Sequence, residues 1–437
     1  MGMNKHVIFW SITVGLGGML FGLDVAVISG AELAIQKLWH LDSWTHGLAV
    51  ATALYGTVVG AALGGIPADR FGRKQTLLWI GISFFVSSLG AALATDVNLF
   101  MLFRFLGGLG IGASSVVAPI YISEIAPPEH RGKLVISFQL NVVFGILLAY
   151  ISNYLLQGGD DDWRYMLGMV ALPSLLFSIL ILFTPETPQF LLLKRNDQAG
   201  ALKVLTLADS DPEGTLKRIL DNAKAQVKKE HLFSKKFFTP LLLSFLFAFF
   251  NQMSGINAII YYAPRIYELT GIGKESALLS TAGIGVANLL FTLLGWYFID
   301  KIGRRILMYI GSVGYIISLG LIAFSFYQES YALVPIYIFL FIASHAIGQG
   351  SVIWVFISEI FPNSVRASGM AWGSLTHWLL AALVANFFPI LTENFGGTFI
   401  FSLFGVMMVG QFFYVMFLMP ETKGASLEDI EKQIIVH

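Results

Sequence analysis

Apolar runs of about 20 residues, the length a helix needs to cross a hydrocarbon core, recur twelve times along the chain. They cover 7–33, 45–67, 75–95, 98–122, 134–157, 163–184, 237–268, 276–299, 305–327, 331–358, 366–392 and 395–419. Charged residues collect in the short joins between runs and in one long segment, 185–236. The pattern predicts twelve membrane-spanning helices, an all-α polytopic membrane protein. The first run is expected to be a true span rather than a cleaved signal peptide. It is long, carries Asp24 and lacks a small-residue cleavage site closing a short apolar core.

The distribution of Lys and Arg orients the spans, because basic residues are retained on the cytoplasmic side. With both termini placed in the cytoplasm, that side holds 22 of the 27 basic residues. The other side holds Lys37, Arg164, Arg265 and Lys274, and Arg104 lies within a span. The expected location is the cell (inner) membrane, with a multi-pass topology. Residues 185–236 contain ten basic and seven acidic residues and divide the spans into six and six. The expected organisation is a six-helix bundle over 1–184, a cytoplasmic linker over 185–236, a second bundle over 237–419 and a cytoplasmic tail over 420–437. Within the linker, 197–208 and 213–230 combine mixed charge with helical apolar spacing, which predicts short surface helices.

The two halves are duplicates. The stretch Gly64–Lys74, with Asp69, Gly72 and Arg73, recurs as Gly295–Arg305, with Asp300, Gly303 and Arg304, at an offset of 231. Ser123-Glu124-Ile125 with Pro127 and Arg131 recurs as Ser358-Glu359-Ile360 with Pro362 and Arg366, at an offset of 235. Pro185-Glu186-Thr187 recurs as Pro420-Glu421-Thr422 at the same offset. A duplicated membrane bundle points to two halves rocking about a site near the midplane. The repeated acids and bases, Asp69, Arg73, Glu124 and Arg131 with Asp300, Arg304, Glu359 and Arg366, are expected to exchange charge-assisted hydrogen bonds at cytoplasmic helix ends and gate that face. The competing reading is that the bases only enforce topology.

Composition narrows the function further. Of 437 residues, 56% are apolar and only 12% charged, against about 25% charged in soluble domains, which excludes an ordinary cytosolic enzyme. The formal net charge of +0 offers no nucleic-acid footprint. With no cysteine there are no disulfides, thiolate metal sites or cysteine nucleophiles. The eight histidines lack helical metal-site spacing, and neither a metal nor another cofactor is expected. No nucleophile–base set suggests an enzyme.

Polar side chains at membrane depth are expensive and mark function by default. They are Gln139 and Asn141 in the fifth span, Asn251, Gln252, Ser254 and Asn257 in the seventh, and Asn288 in the eighth. The tenth span adds Gln349 and Trp354, and the eleventh His377 and Trp378. Amides offer donors and acceptors to hydroxyls, and indoles offer a face to the apolar side of a sugar ring, so the set suits a neutral polyol. Unwinding at Gly255 would bring Asn251, Gln252 and Asn257 onto one cavity, and Gly348 and Gly350 would act alike in the tenth span. The alternative is amides acting as interhelical glue. Asp24 and Arg104 stand as the ionisable groups well inside the spans, which suggests either a proton-coupling pair or a static ion pair.

At these residues the chain resembles the sugar porter family of the major facilitator superfamily, and is most similar to its bacterial proton-coupled xylose, glucose and galactose transporters. The resemblance rests on Asp69-Arg70-Phe71-Gly72-Arg73-Lys74, Arg104-Phe105 with Gly107-Gly108, Pro119 through Pro127 with Arg131-Gly132, Pro185-Glu186-Thr187-Pro188, and Gly255-Ile256-Asn257 followed by Tyr261-Tyr262 and Pro264. It implies the major facilitator fold, two six-helix halves with a cytoplasmic helical linker. It implies sugar binding through Gln139, Gln252, Asn257 and Asn288, with Tyr261, Trp354 and Trp378 lining the same cavity, and proton coupling through Asp24 and Arg104. Asn251 replaces the first glutamine of a Gln-Gln pair, His377 replaces an amide, Ser351 a proline and Leu23 a tyrosine; the first two join the candidate sugar site.

The reading is therefore proton-coupled symport of a monosaccharide, with the proton and the lipid bilayer as further partners and a monomer as the expected unit. A facilitative uniporter is the alternative. A sugar sensor is disfavoured by a tail of about 18 residues beyond the last span, and a drug exporter by the amide-rich cavity.

Overall fold

The computed structural model describes residues 4–127, 131–209, 211–224, 231–362 and 364–424. The chain runs through α1 (Lys5–Leu38), α2 (Ser43–Leu63), α3 (Gly65–Phe71), α4 (Arg73–Ala92), α5 (Val97–Ile125), α6 (Arg131–Leu156), α7 (Asp162–Gly168) and α8 (Ala171–Leu182). Three short helices follow, α9 (Pro188–Lys194), α10 (Gln198–Ala208) and α11 (Pro212–Lys224). The chain continues through α12 (Phe238–Met253), α13 (Ile256–Leu269), α14 (Lys274–Ile302), α15 (Arg304–Tyr327), α16 (Val334–Ile347), α17 (Gln349–Ile360) and α18 (Arg366–Phe417).

Each of the twelve apolar runs is helical. Three are built from two helices: α7 with α8, α12 with α13, and α16 with α17. The last two runs are one 52-residue element, α18, about 78 Å of helix at 1.5 Å per residue and enough for two crossings. The chain turns inside it at Gly396, whose φ of 74° lies in the left-handed region open to glycine. Among the described residues, eleven continuous stretches thus make twelve crossings. In the linker, α10 starts where the Asp197 side chain accepts from Gly200 N at 2.8 Å, and α11 covers most of the second predicted helix, whose residues 225–230 lie outside the description. The helix α9 was not expected; Thr187 caps it by accepting from Phe190 N, and Pro188 opens it.

Packing divides the chain into two compact units. One comprises Met1–Val27, Tyr55–Ala149 and Arg164–Val227; the other comprises Ile28–Leu54, Tyr150–Trp163 and Lys228–His437. In the first unit, helices meet backbone to backbone. A Cβ on Gly22 of α1 would fall 1.9 Å from the Val142 carbonyl oxygen of α6, and one on Gly145 of α6 would fall 2.1 Å from that of Met19. Small residues at crossings are how helices gain contact where lipid removes the hydrophobic drive. The second unit has an aromatic core in which Phe247 packs on Phe356 at 5.4 Å and on Tyr414 at 6.3 Å. The outward faces are apolar: Leu102, Leu172, Leu290 and Phe417 are all exposed. A chain with its backbone groups paired inside helices and such faces outside is suited to lipid.

Candidate functional site

The helix formed by the seventh apolar run breaks at Ser254 and Gly255. Gly255 takes φ 82°, and a Cβ there would fall 2.4 Å from the Phe404 ring, so both conformation and space call for glycine. The break turns the last side chains of α12 toward the first turn of α13. Gln252 Nε2 donates to Asn251 Oδ1 at 2.9 Å, and Asn257 Nδ2 donates to Gln252 Oε1 at 2.6 Å. Gln252 Nε2 also lies 3.2 Å from each imidazole nitrogen of His377 on α18. His377 is flanked by Trp354 of α17 at 5.1 Å and by Trp378 at 4.7 Å between ring centroids. Asn251, Gln252, Asn257, Tyr261, Asn288, His377 and Trp378 are all buried. Uncharged amides, an imidazole and two indoles thus converge without a formal charge among them, an arrangement able to satisfy hydroxyl groups and cover an apolar ring face. Gln139 is half-buried on α6, in the first unit.

The tenth apolar run breaks at Gly348, with φ −85° and ψ −102°. Behind that break lies a polar chain that sequence reading did not assemble. Tyr315 bonds His345 Nδ1 and donates to Gln349 Oε1 at 3.1 Å; Gln349 Nε2 donates to Gln411, whose Nε2 donates to Ser312 Oγ at 2.8 Å. Of these, only Gln349 stood out beforehand, because Ser312, Tyr315, His345 and Gln411 are spread over three spans and no motif marks them.

In the first unit, Arg104 Nη1 donates to Asp24 Oδ1 at 3.0 Å and Nη2 to the Asp24 carbonyl at 3.1 Å. The two side chains are 1% and 2% exposed. Asp24 Oδ2 has no hydrogen-bond partner and faces Gly107, where a Cβ would come within 3.4 Å of it. The pair is a lone acid and base, held by one carboxylate oxygen and open at the other.

The repeated motifs fold into two matching clamps, one in each unit. Arg73 Nη2 lies 3.0 Å from Glu124 Oε1 and 3.2 Å from Asp69 Oδ1, and Thr187 Oγ1 donates to Glu124 Oε2 at 2.5 Å. In the second unit, Arg304 forks onto Glu359 at 2.8 and 3.2 Å and reaches Asp300 at 3.0 Å, while Thr422 Oγ1 donates to Glu359 Oε2 at 2.6 Å. Glu186 accepts from Arg73 N at 3.0 Å and from Lys74 N, and Glu421 accepts from Arg304 N and Arg305 N at 3.0 Å each. These carboxylates satisfy the free N–H groups of α4 and α15. They sit so close to Gly72 (φ 108°) and Gly303 (φ 95°) that a Cβ would fall 2.1 and 2.5 Å from them. One expectation changes: Arg366 donates to the Phe361 carbonyl at 3.2 Å rather than pairing with Glu359, because Arg304 already occupies both carboxylate oxygens. The Arg131 side chain lies outside the described residues.

The family profile "Sugar (and other) transporter" matches residues 10–434. The chain belongs to that sugar transporter family. An arabinose-proton symporter of Bacillus subtilis is 37% identical over 98% of this chain and 94% of its own. The D-xylose-proton symporter of Escherichia coli is 33% identical over 98% of this chain and 96% of its own. Among solved structures, the inward open conformation of the xylose transporter XylE from E. coli superposes with a TM-score of 0.87 at 31% identity, covering 98% of this chain and all of that one. The fold is the major facilitator fold in an all-α, multi-pass membrane protein with both termini cytoplasmic, and the chain is not an enzyme. In this sugar transporter the residues that sequence reading left without a role are Glu186, Thr187, Glu421 and Thr422. Their signal was present, as Pro-Glu-Thr in both halves, but no spacing shows that the carboxylate returns to cap a helix more than a hundred residues away.

Proposed function

We propose that the protein is a secondary active transporter that carries a neutral monosaccharide, a pentose or hexose, in symport with a proton by alternating access. The observation that carries this reading is the uncharged cluster at the seventh-span break, Asn251, Gln252, Asn257 and His377 between two tryptophans. An anionic substrate would call for buried Lys or Arg there, and a lipophilic cation for buried acids. The names of its relatives, an arabinose-proton symporter and a D-xylose-proton symporter, support both the substrate class and the coupling ion. Tyr261 and Asn288 join the proposed sugar-binding residues of the second unit, Gln139 is the proposed sugar-binding residue of the first, and Asp24 with Arg104 forms the proposed proton site. The two clamps gate the cytoplasmic face, and Arg131 and Arg366 are assigned to the gate only by their place in the repeated motifs. The proposed division is a six-helix bundle over 1–184, a linker over 185–236, a six-helix bundle over 237–419 and a tail over 420–437, with the monomer as the proposed transporting unit.

The test is equilibrium binding of a panel of pentoses and hexoses to purified protein. The parent should bind at least one of them. Gln252→Ala, which removes the amide shared by Asn251, Asn257 and His377, should weaken that binding by about 0.5–1.5 kcal/mol, one neutral hydrogen bond. Parent protein that binds no sugar of the panel, or a Gln252→Ala protein that binds every sugar as the parent does, would remove the proposed site.

A further inference from the structure

Three titratable residues outside the sites above meet in the second unit, toward the outer ends of α1, α2 and α13. The side chains of Glu32 and His46 are both 0% exposed. Arg265 forks onto Glu32, with Nε 3.2 Å from Oε1 and Nη2 3.0 Å from Oε2, and also donates to Gln36. From the other side, His46 Nε2 lies 2.9 Å from Glu32 Oε2, and its ring stands edge-on to Tyr262 with centroids 6.1 Å apart.

Three features give the cluster a task. Glu32 and His46 belong to the first sequence half and Arg265 to the second, so a movement that opens the outer side must part Glu32 from Arg265. The helix α13 is non-helical at Tyr262 (φ −120°, ψ 16°) and carries Pro264 just beyond. The turn bearing Arg265 is thereby hinged relative to the turn bearing Asn257. A cavity of about 370 Å³, lined by Gln36, Asp42, Ser43, Trp44 and Glu393, reaches Gln36, the direct partner of Arg265. Solvent therefore comes within one side chain of the buried charges.

We infer that Glu32, His46 and Arg265 form the extracellular latch of the transport cycle, closed by the Glu32–Arg265 pair and loosened by a proton on His46. The sign follows from the surrounding charges. On α1 stand Glu32 and Lys37; on α13 stand Tyr262, Arg265 and Glu268; beside them Lys274 of α14 is paired with Asp162 at 2.6 Å. These acids and bases balance. The helix α18 meets Gly47 through the Asn386 backbone carbonyl, and its Glu393, like Asp42, is exposed to water. A proton on His46 adds an unmatched positive charge beside Arg265, at the same Glu32 oxygen, where water is excluded. Opening hydrates that charge, so acid outside favours the outward-open form.

The latch rests on the transport reading for its motion, yet its test reads conformation and needs no sugar. Spin labels are placed at Leu38→Cys and Asn394→Cys, both exposed near the outer ends, in the cysteine-free chain carrying Asp24→Asn so that the proposed proton site does not titrate. Between about pH 8 and about pH 5, a window that spans histidine titration, the ratio of long to short label distances should rise by about tenfold. In His46→Gln that ratio should be flat, and in Arg265→Gln the long distance should dominate at both pH values. His46→Phe serves where His46→Gln is not monodisperse. A pH-independent ratio in the His46 protein, or an unaltered pH response in the His46 variants, would overturn the latch while leaving sugar binding and uptake as the separate test of transport.

Discussion

Proteoliposomes bearing Asp24→Asn should exchange labelled sugar at equal pH on both faces yet fail to concentrate it when a proton gradient is imposed. The reason is the geometry of one carboxylate. Arg104 holds Asp24 Oδ1 and the Asp24 backbone carbonyl, leaving Oδ2 without a partner in a site closed to water. A proton can add at Oδ2 without first displacing Arg104, and its arrival cancels the charge that Arg104 balances. Loading and unloading this proton is thus linked to the distance between α1 and α5. Asparagine keeps the shape and can accept from Arg104 through its oxygen, so the fold and sugar cavity should survive, but it cannot carry the proton. Loss of exchange together with accumulation would mark the pair as structural. Retained uphill uptake in Asp24→Asn would take coupling away from this residue.

Glu359→Gln should release the cytoplasmic end of α17. Arg304 is 9% exposed and makes a two-point bond to Glu359. Removing the charge leaves a largely enclosed guanidinium with one neutral amide oxygen in place of a two-point ion pair, beside the well-exposed Asp300 and the Ile299 carbonyl. A charge-assisted bond of this kind contributes about 1.5–3 kcal/mol, somewhat less here because Glu359 is 22% exposed. Labelling of Ser358→Cys by a polar thiol reagent from the cytoplasmic side should therefore accelerate by about tenfold or more, as 1.4 kcal/mol corresponds to tenfold. Glu124→Gln should do the same for Ser123→Cys in the matching clamp. Rates equal to the parent in both would reduce the clamps to topology signals.

What could be read beforehand, and what could not, follows from how local each signal is. A span announces itself in about 20 successive residues, so all twelve crossings were legible, as was the break at Gly255, where glycine stands beside Ser254 among amides. The turn at Gly396 was nearly as legible, since Glu393-Asn394 separates the eleventh and twelfth runs two residues before it. Asp24 and Arg104 stood out because charges in mid-span are rare. Glu32, His46 and Arg265 did not, although each lies near the end of a predicted span. At a span's end a charge is ordinary, and only tertiary packing shows that these three ends meet and exclude water. Glu186 and Glu421 were hidden for the same reason: their partners are backbone N–H groups, which carry no sequence identity. The Arg366 expectation failed because Glu359 has two oxygens and Arg304, fixed beside Gly303, reaches both.

The central claim, that sugar and proton cross together, is tested most directly by recording external pH as sugar is added to de-energised proteoliposomes of the parent protein. Symport predicts that a transported pentose or hexose draws protons inward and makes the lightly buffered medium more alkaline, a response abolished by a protonophore and absent in Asp24→Asn. Sugar that enters the vesicles with no change in external pH would contradict the account and leave a uniporter in its place.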